Sequence, residues 1–266
     1  MPHAFVQLYP ELESALDQSL VLTTTERLRR NLIRAYNDAK LAAGHRAWPT
    51  PRVLTIGTYL TVLYQALRRE EPNLPVLLGA EAEFALFRAT APAAAVNLLP
   101  LAQEAWSLCH QWGISINAAR FSATENGLTF AEWCERLRRR LDSSHAITRA
   151  ELITRAELRA SEEKISCLAF EQLPSALGSW LANQPAEVAF LDAARREDGA
   201  TQAYRTSFEA PEDELAAVSR WARGLLETSA EDVRIGIIIP DLSNRYDAVL
   251  RQFTAELDPL LTHGTQ

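Results

Sequence analysis

The stretch LVLTTTERLRR, residues 20–30, decides how this chain folds. A short apolar run ends at three threonines, and the residues after them place apolar side chains at helical spacing. A helix that begins directly after a buried strand leaves its first backbone N–H groups unbonded, and here hydroxyl groups lie beside them. We therefore predict a strand-to-helix junction at which an anion can bind, with Thr23 and Glu26 at the spacing of a capping box.

A second junction of the same kind follows at RVLTIGTYL, residues 52–60. Its buried strand covers residues 53–56, and the helix after it repeats apolar side chains up to Leu67. The helix of the first junction stops at Gly44, and residues 48–51 form a rigid, proline-containing connector. This order of strand, helix, strand and helix predicts an α/β fold with a parallel sheet.

The middle of the chain, residues 78–184, has few strand signals and is predicted to be a helical inserted subdomain. Within it the six-residue sequence ITRAEL occurs twice in succession, at residues 147–158. Six residues is neither a helical nor a solenoid period, so we interpret the pair as a local duplication on a solvated helix. The predicted helices of this segment are residues 80–90, 98–112, 129–141, 147–160 and 170–183.

Strand patterns return after the helical segment, at residues 187–191 and 203–208. A helix then opens at Pro211 with acidic residues in its first turn, where they favour the helix dipole. The clearest buried strand covers residues 233–239 and leads into a last helix. A sheet that ends on a strong strand-helix pair usually continues, so we expect this chain to be a fragment of a longer fold.

These patterns divide the chain into three parts. Residues 1–77 are predicted to form the first part of an α/β lobe, residues 78–184 the helical insertion, and residues 185–266 the returning strands and the start of a second lobe.

Composition limits the classes of partner. The chain has 266 residues and a net charge of −7, so any nucleic-acid contact must be local. Of the 27 basic residues only Lys40 and Lys164 are lysines, which leaves 25 arginines, and we interpret this excess as an Ala- and Arg-rich codon bias rather than as a sign of function. The three scattered cysteines predict buried, reduced thiols and a cytoplasmic protein. Neither a secretory leader nor a membrane-spanning run is predicted.

Several catalytic classes lack their motifs. A P-loop needs glycine directly before lysine, and Lys40 follows alanine while Lys164 follows glutamate. The glycines do not form a dinucleotide fingerprint, no serine lies in a G-x-S-x-G context, and the histidines do not pair at metal-ligand spacing. The run Glu162-Glu163-Lys164 has the acid-x-Lys order of a metal-dependent nuclease strand but no upstream Pro-Asp partner. We therefore predict no enzyme activity, no cofactor and no metal.

Binding chemistry remains. Arg27, Arg30, Asn31 and Arg34 repeat at helical spacing beside the first junction and form one polar stripe. Such a stripe can bind a phosphate backbone through guanidinium contacts, and a solvated helix face explains the pattern equally well. For the second basic run, residues 136–140, we favour the solvated face. The tryptophans at helix positions are interpreted as core residues rather than base-stacking platforms: Trp106, Trp112, Trp133, Trp180 and Trp221.

Several segments of this chain follow one another in the order seen in a known family. They are the two junctions, the connector at residues 48–51, Glu214, the stretch 221–223 and the run at residues 235–242. The chain is similar to the N-terminal part of AddB-type proteins, the inactivated superfamily I helicase and exonuclease subunits of bacterial double-strand-break repair. The likeness covers about residues 18–257, and the helical middle matches only in character. It implies a RecA-like, P-loop-NTPase-like sheet lobe with a helical insertion.

The resemblance also implies site residues. The first junction is similar to the helicase motif whose threonine contacts single-stranded DNA, and the second resembles the next strand-side motif. Arg245 lies after the turn that resembles the start of the second RecA-like lobe. With Arg30 and Arg34 of the stripe, the predicted nucleic-acid-binding residues are Thr23, Thr24, Thr25, Arg27, Arg30, Arg34, Thr55, Thr58, Tyr59 and Arg245.

Three functions remain open at this point. The first is a non-catalytic helicase-like module that binds single-stranded or junction DNA within a recombinational repair nuclease. The second is a scaffold of the same fold that docks a helicase or nuclease partner subunit and has no nucleic-acid site. The third is a residual nucleotide binder without hydrolysis. The missing P-loop agrees with a degenerate motor, and the family's nuclease domain does not occur in this sequence.

Overall fold

The computed structural model describes residues 11–117, 119–155, 157–170, 172–191, 204–228 and 235–257. These residues belong to two compact units, Met1–Arg196 and Glu197–Gln266, each treated by itself below.

The first unit contains seven described α-helices and six described strands. The helices are α1 (Leu12–Gln18), α2 (Glu26–Ala42), α3 (Ile56–Glu70), α4 (Ala80–Thr90), α5 (Leu99–Gln111), α6 (Glu125–Ser143) and α7 (Ser175–Ala182). The strands are β1 (Leu20–Thr23), β2 (Val53–Thr55), β3 (Val76–Leu77), β4 (Ala146–Ile147), β5 (Lys164–Leu168) and β6 (Glu187–Leu191). Short 3₁₀ helices cover Ala93–Leu98 and Arg149–Thr154.

The main sheet has four strands in the order β2-β1-β5-β6, and all of its neighbours are parallel. Because β1 lies in the middle, it pairs with β2 on one side and β5 on the other. The prediction of an α/β fold with a parallel sheet is thereby confirmed. β3 and β4 form a separate two-stranded parallel pair.

The sheet separates two apolar layers. Leu20 and Leu22 of β1 point to one face, where they join a cluster with α3 and α7. Val21, between them, points to the other face and packs with α1 and α2. This alternation follows from the two-residue period of a strand, and burial on both faces is typical of parallel sheets.

The helices α4, α5 and α6 surround a third cluster of their own. Its centre is Trp106, which is fully buried and donates its indole N–H to the Thr148 hydroxyl at 3.0 Å. Trp133 is also buried and donates to the Phe87 carbonyl at 3.1 Å. The core role predicted for these two tryptophans is confirmed, as it is for Trp180. It is wrong for Trp112 and Trp221, which are 41% and 55% exposed.

The prediction of a helix over residues 147–160 is wrong. Ile147 lies in β4, a 3₁₀ helix follows, and the next regular element is β5, in the main sheet. The sequence hides β5 because a five-residue strand containing serine and cysteine has little β-branched content. Since β5 and α7 pack with the sheet, the helical part is narrower than the predicted 78–184, and its core runs from Phe87 to Ala146.

The second unit contains α8 (Pro211–Thr228) and α9 (Leu242–Leu257) among its described residues. The two helices pack together, and Gln252 of α9 donates to the Ser219 hydroxyl at 3.2 Å. Residues 235–239 of the predicted buried strand form no strand, and Ile238 is 95% exposed. A strand needs a hydrogen-bonding neighbour, and no described segment pairs with this run.

Residues 204–208 likewise form no strand. Residues 203, 233 and 234 of the two predicted strands lie outside the described part of the chain. The start of a second lobe therefore stays a prediction.

Candidate nucleic-acid interface

The two threonine junctions lie side by side. Thr23 ends β1 and Thr55 ends β2, and the two residues are partners in the parallel register. Helices α2 and α3 begin directly after them. Both helix N-termini therefore lie at the carboxyl edge of one sheet, where parallel α/β proteins bind their ligands.

Each helix is capped by a threonine hydroxyl. Thr25 Oγ1 accepts a hydrogen bond from the backbone N–H of Leu28 at 3.2 Å. Thr55 Oγ1 accepts from the N–H of Thr58 at 3.3 Å and lies 2.9 Å from Thr58 Oγ1. Capping by a hydroxyl leaves other first-turn N–H groups directed out of the helix end.

The capping box predicted for Thr23 and Glu26 is wrong, because Thr25 is the cap and the Glu26 carboxylate binds Arg29 instead. Arg29 Nε lies 2.8 Å from Glu26 Oε1. This hydrogen bond holds the pKa of Glu26 below its usual value. The pair offsets the one acidic charge in the first turn of α2.

Thr23 does not belong to the exposed surface. Its side chain is fully buried, and its hydroxyl donates to the carbonyl oxygens of Thr25 at 3.3 Å and Leu54 at 3.4 Å. Because one bond crosses from β1 to the end of β2, Thr23 fixes the two junctions relative to each other. The side chain of Thr23 is therefore not open to a ligand here, and its predicted contact with nucleic acid stays a prediction, whereas Thr24, Thr25 and Thr58 are exposed.

Tyr59 is also buried, at 2% exposure. Its hydroxyl donates a hydrogen bond to the Glu162 carboxylate, which also accepts one from Arg52 Nη2 at 2.6 Å. Arg52 and Glu162 precede β2 and β5, so Tyr59 points to the amino edge of the sheet, away from the junctions. Its side chain is therefore not open to a ligand at the carboxyl edge, and its predicted contact with nucleic acid stays a prediction.

The arginine stripe is open to solvent. Arg27, Arg30 and Arg34 are exposed on α2, and none of them forms an ion pair with any residue that the structure describes. Unpaired guanidinium groups remain free to bind a phosphate in a bidentate manner. The structure thus places this stripe on the helix whose N-terminus lies at the carboxyl edge of the sheet.

Arg245 lies on α9 of the second unit. It is partly buried, and its Nη2 donates to the Pro211 carbonyl at 3.4 Å. Its predicted contact with nucleic acid stays a prediction.

Sequence analysis missed the polar network at the amino edge. Glu162 has a nearly buried side chain, and burial opposes its negative charge, but the hydrogen bonds from Tyr59 and Arg52 outweigh burial and lower its pKa. A cavity of about 700 Å³ borders this network. Only their positions in the chain could have indicated this network, because Arg52 and Glu162 each lie just before a strand of the same parallel sheet.

The nuclease-like run Glu162-Glu163-Lys164 has other partners. Glu162 is bound by Arg52 and Tyr59, and Lys164 pairs with Glu187 at 3.5 Å. Across the described ranges, no three His, Cys, Asp or Glu side chains are grouped so that they could hold a metal ion. All three cysteines are buried and free, and burial raises the pKa of both Cys134 and Cys167 to about 12.

No family model matches this sequence, and no curated protein is a significant match. Among the helices that the structure describes, none is long and apolar enough to cross a bilayer.

Proposed function

We propose that this chain is a non-catalytic, helicase-like module of a DNA double-strand-break repair nuclease that binds single-stranded DNA at the carboxyl edge of its sheet. The observation that carries the proposal is the register of Thr23 with Thr55, which sets two helix N-termini side by side. The RecA-like relationship and the AddB-type role rest on the sequence resemblance, and the parallel sheet is consistent with them.

Electrostatics support an anionic ligand at this edge. Each helix N-terminus carries the equivalent of about half a positive charge, and α2 adds three exposed arginines without ion-pair partners among the described residues. The hydroxyl groups of Thr24 and Thr58 supply neutral donors beside them. A phosphodiester backbone offers repeated oxygen acceptors that suit such a surface.

The positions of the two lysines support a role without ATP hydrolysis. Lys40 lies in the last turn of α2, where it binds Asp17 at 3.3 Å, and Lys164 begins β5. Both lysines thus lie toward the amino edge, away from the junctions. A P-loop lysine must instead reach phosphates at the strand-to-helix turn.

The proposal is tested by fluorescence anisotropy with labelled oligothymidylate across a salt series. We expect the triple variant R27Q–R30Q–R34Q to bind more weakly and to lower the salt slope of log K by about 2, since each lost contact removes about 0.7 on single strands. The matched control R46Q–R69Q–R120Q removes three exposed arginines elsewhere and keeps the wild-type slope. Absence of salt-dependent binding by the wild type at low ionic strength contradicts the proposal.

One observation favours a second function, docking of a partner subunit. On α9 the side chains of Tyr246, Leu250 and Leu257 are 56%, 51% and 42% exposed. In the first unit, Leu101 and Leu108 of α5 and Trp112 directly after that helix are exposed as well. A pure scaffold predicts that the wild type and the triple arginine variant give the same flat anisotropy at every salt concentration.

A further inference from the structure

A second basic surface lies in the helical part of the first unit. The end of α4 and the last turns of α6 border a depression of about 480 Å³. We call it the arginine-lined depression, and its polar lining residues are Thr90, Arg136, Arg139, Arg140 and Ser143. None of its lining residues is acidic.

Arg136 is the innermost of the three arginines. Its Nε donates to the Thr90 carbonyl at 3.1 Å, so one edge of the guanidinium caps the C-terminus of α4. Its Nη2 is buried and has no hydrogen-bond partner in the described part of the chain. A buried, charged donor left without an acceptor is costly, and none of the described residues supplies that acceptor.

Acidic side chains near these arginines on α6 do not form ion pairs with them. Glu132 and Glu135 stand four residues before Arg136 and Arg139 on α6, the spacing at which helical ion pairs form. Neither pair forms, and no described acidic side chain forms an ion pair with Arg136, Arg139 or Arg140. Three positive charges therefore remain around one concave surface.

We propose that the arginine-lined depression binds a phosphate group, supplied by the backbone of a nucleic acid. Guanidinium groups and hydroxyls are the usual donors to phosphate oxygens, and the exposed guanidinium groups of Arg139 and Arg140 are the donors that a phosphate in the depression can reach. The negative ends of the α4 and α6 dipoles oppose an anion here, but together they amount to about one charge against the three full charges of the arginines. Only the choice of DNA as the phosphate source rests on the proposed function; the phosphate site itself does not.

The test uses the double variant R139Q–R140Q of the full chain with two probes, oligothymidylate and inorganic phosphate. Arg139 and Arg140 are exposed, so their substitution leaves the core intact, and R69Q–R120Q is a control with the same charge change. We expect R139Q–R140Q to weaken oligothymidylate binding and to lower the salt slope of log K by about 1.4, while the control keeps the wild-type slope. We also expect it to abolish stabilisation of the fold by inorganic phosphate in thermal unfolding.

The outcomes separate this inference from the proposed function. If R139Q–R140Q behaves as its control with both probes, or if the wild type binds neither probe, the inference is overturned. If R27Q–R30Q–R34Q leaves DNA binding unchanged while R139Q–R140Q weakens it, the carboxyl edge is not the DNA site and the depression is. If R139Q–R140Q alters only the response to inorganic phosphate, the phosphate site stands and nucleic acid is not its source.

Discussion

At the scale of single residues, Glu162 shows how one side chain joins distant parts of the sheet. Its carboxylate accepts hydrogen bonds from Arg52, in the segment before β2, and from Tyr59 of α3. Glu162 itself lies just before β5. The edge strand and the inner strand are thereby fixed at their amino ends. Thr23 fulfils the corresponding role at the carboxyl ends.

We expect Glu162→Gln to lower the free energy of unfolding by about 1–2 kcal/mol at neutral pH, because charge-assisted hydrogen bonds become neutral ones. The folded-state pKa of Glu162 is lowered, so its contribution is present above the ordinary carboxyl pKa and is lost as the pH falls through the folded-state value. The difference from the wild type should therefore shrink in acid. Urea unfolding over a pH series measures it.

Glu163→Gln is the matched control for this prediction. Glu163 is the next residue along the chain, its side chain is exposed, and it forms no ion pair with a described residue. Its substitution should change stability by less than about 0.5 kcal/mol at every pH. Equal losses in the two variants would show that the network around Glu162 contributes nothing specific.

At the scale of elements, the repeated ITRAEL sequence shows the limit of local pattern. In the first copy Thr148 is fully buried, accepts from Trp106 and forms a capping box with Glu151. In the second copy the corresponding Thr154 is exposed. Identical residues thus occupy different environments, because packing against the helical cluster decides the conformation of the first copy.

This contrast provides a matched pair of variants. Thr148→Ala leaves the Trp106 indole N–H buried without its acceptor and should lower the free energy of unfolding by about 1–3 kcal/mol. Thr154→Ala removes only a hydrogen bond to the Glu151 carbonyl at the surface and should cost less than about 0.5 kcal/mol. Urea denaturation of both variants measures the difference. Similar losses would mean that Thr148 does not hold the helical cluster as described.

Sequence predicts the elements whose signals are local. Apolar periodicity, with threonines at the strand ends, correctly indicates three strands and the helices that follow the first two of them. These strands are residues 20–23, 53–55 and 187–191. β5 could not be found from local pattern, because one of the two strands that bury it is β1, which lies more than a hundred residues earlier in the chain. Residues 235–239 show the converse, an apolar run without a described strand partner.

For the candidate site, the sequence predicted where the junctions lie but not which of their side chains are exposed. The sequence places Thr23 and Thr55 after buried strands, and the parallel register brings them together as expected. Which hydroxyls face solvent depends on packing, and this is why Thr23 and Tyr59 turned out buried while Thr24 and Thr58 are exposed. The isolation of the arginines from acidic partners is a property of side-chain placement that spacing alone does not determine.

At the scale of the whole molecule, the net charge of −7 requires that any DNA contact be confined to particular surfaces. The carboxyl edge and the arginine-lined depression are the two surfaces proposed for such contact, and both lie in the first unit. The second unit offers exposed apolar side chains on α9, which suit a protein partner better than a phosphate backbone.

Photocrosslinking of oligothymidylate containing 4-thiothymidine, with peptide mass spectrometry, tests the central claim most directly. We predict crosslinked peptides that carry residues 24–34 or 55–58, suppressed by added salt and by the triple variant R27Q–R30Q–R34Q. Salt suppression follows because these contacts are largely electrostatic. Crosslinks found only outside these two segments would contradict a DNA site at the carboxyl edge of the sheet.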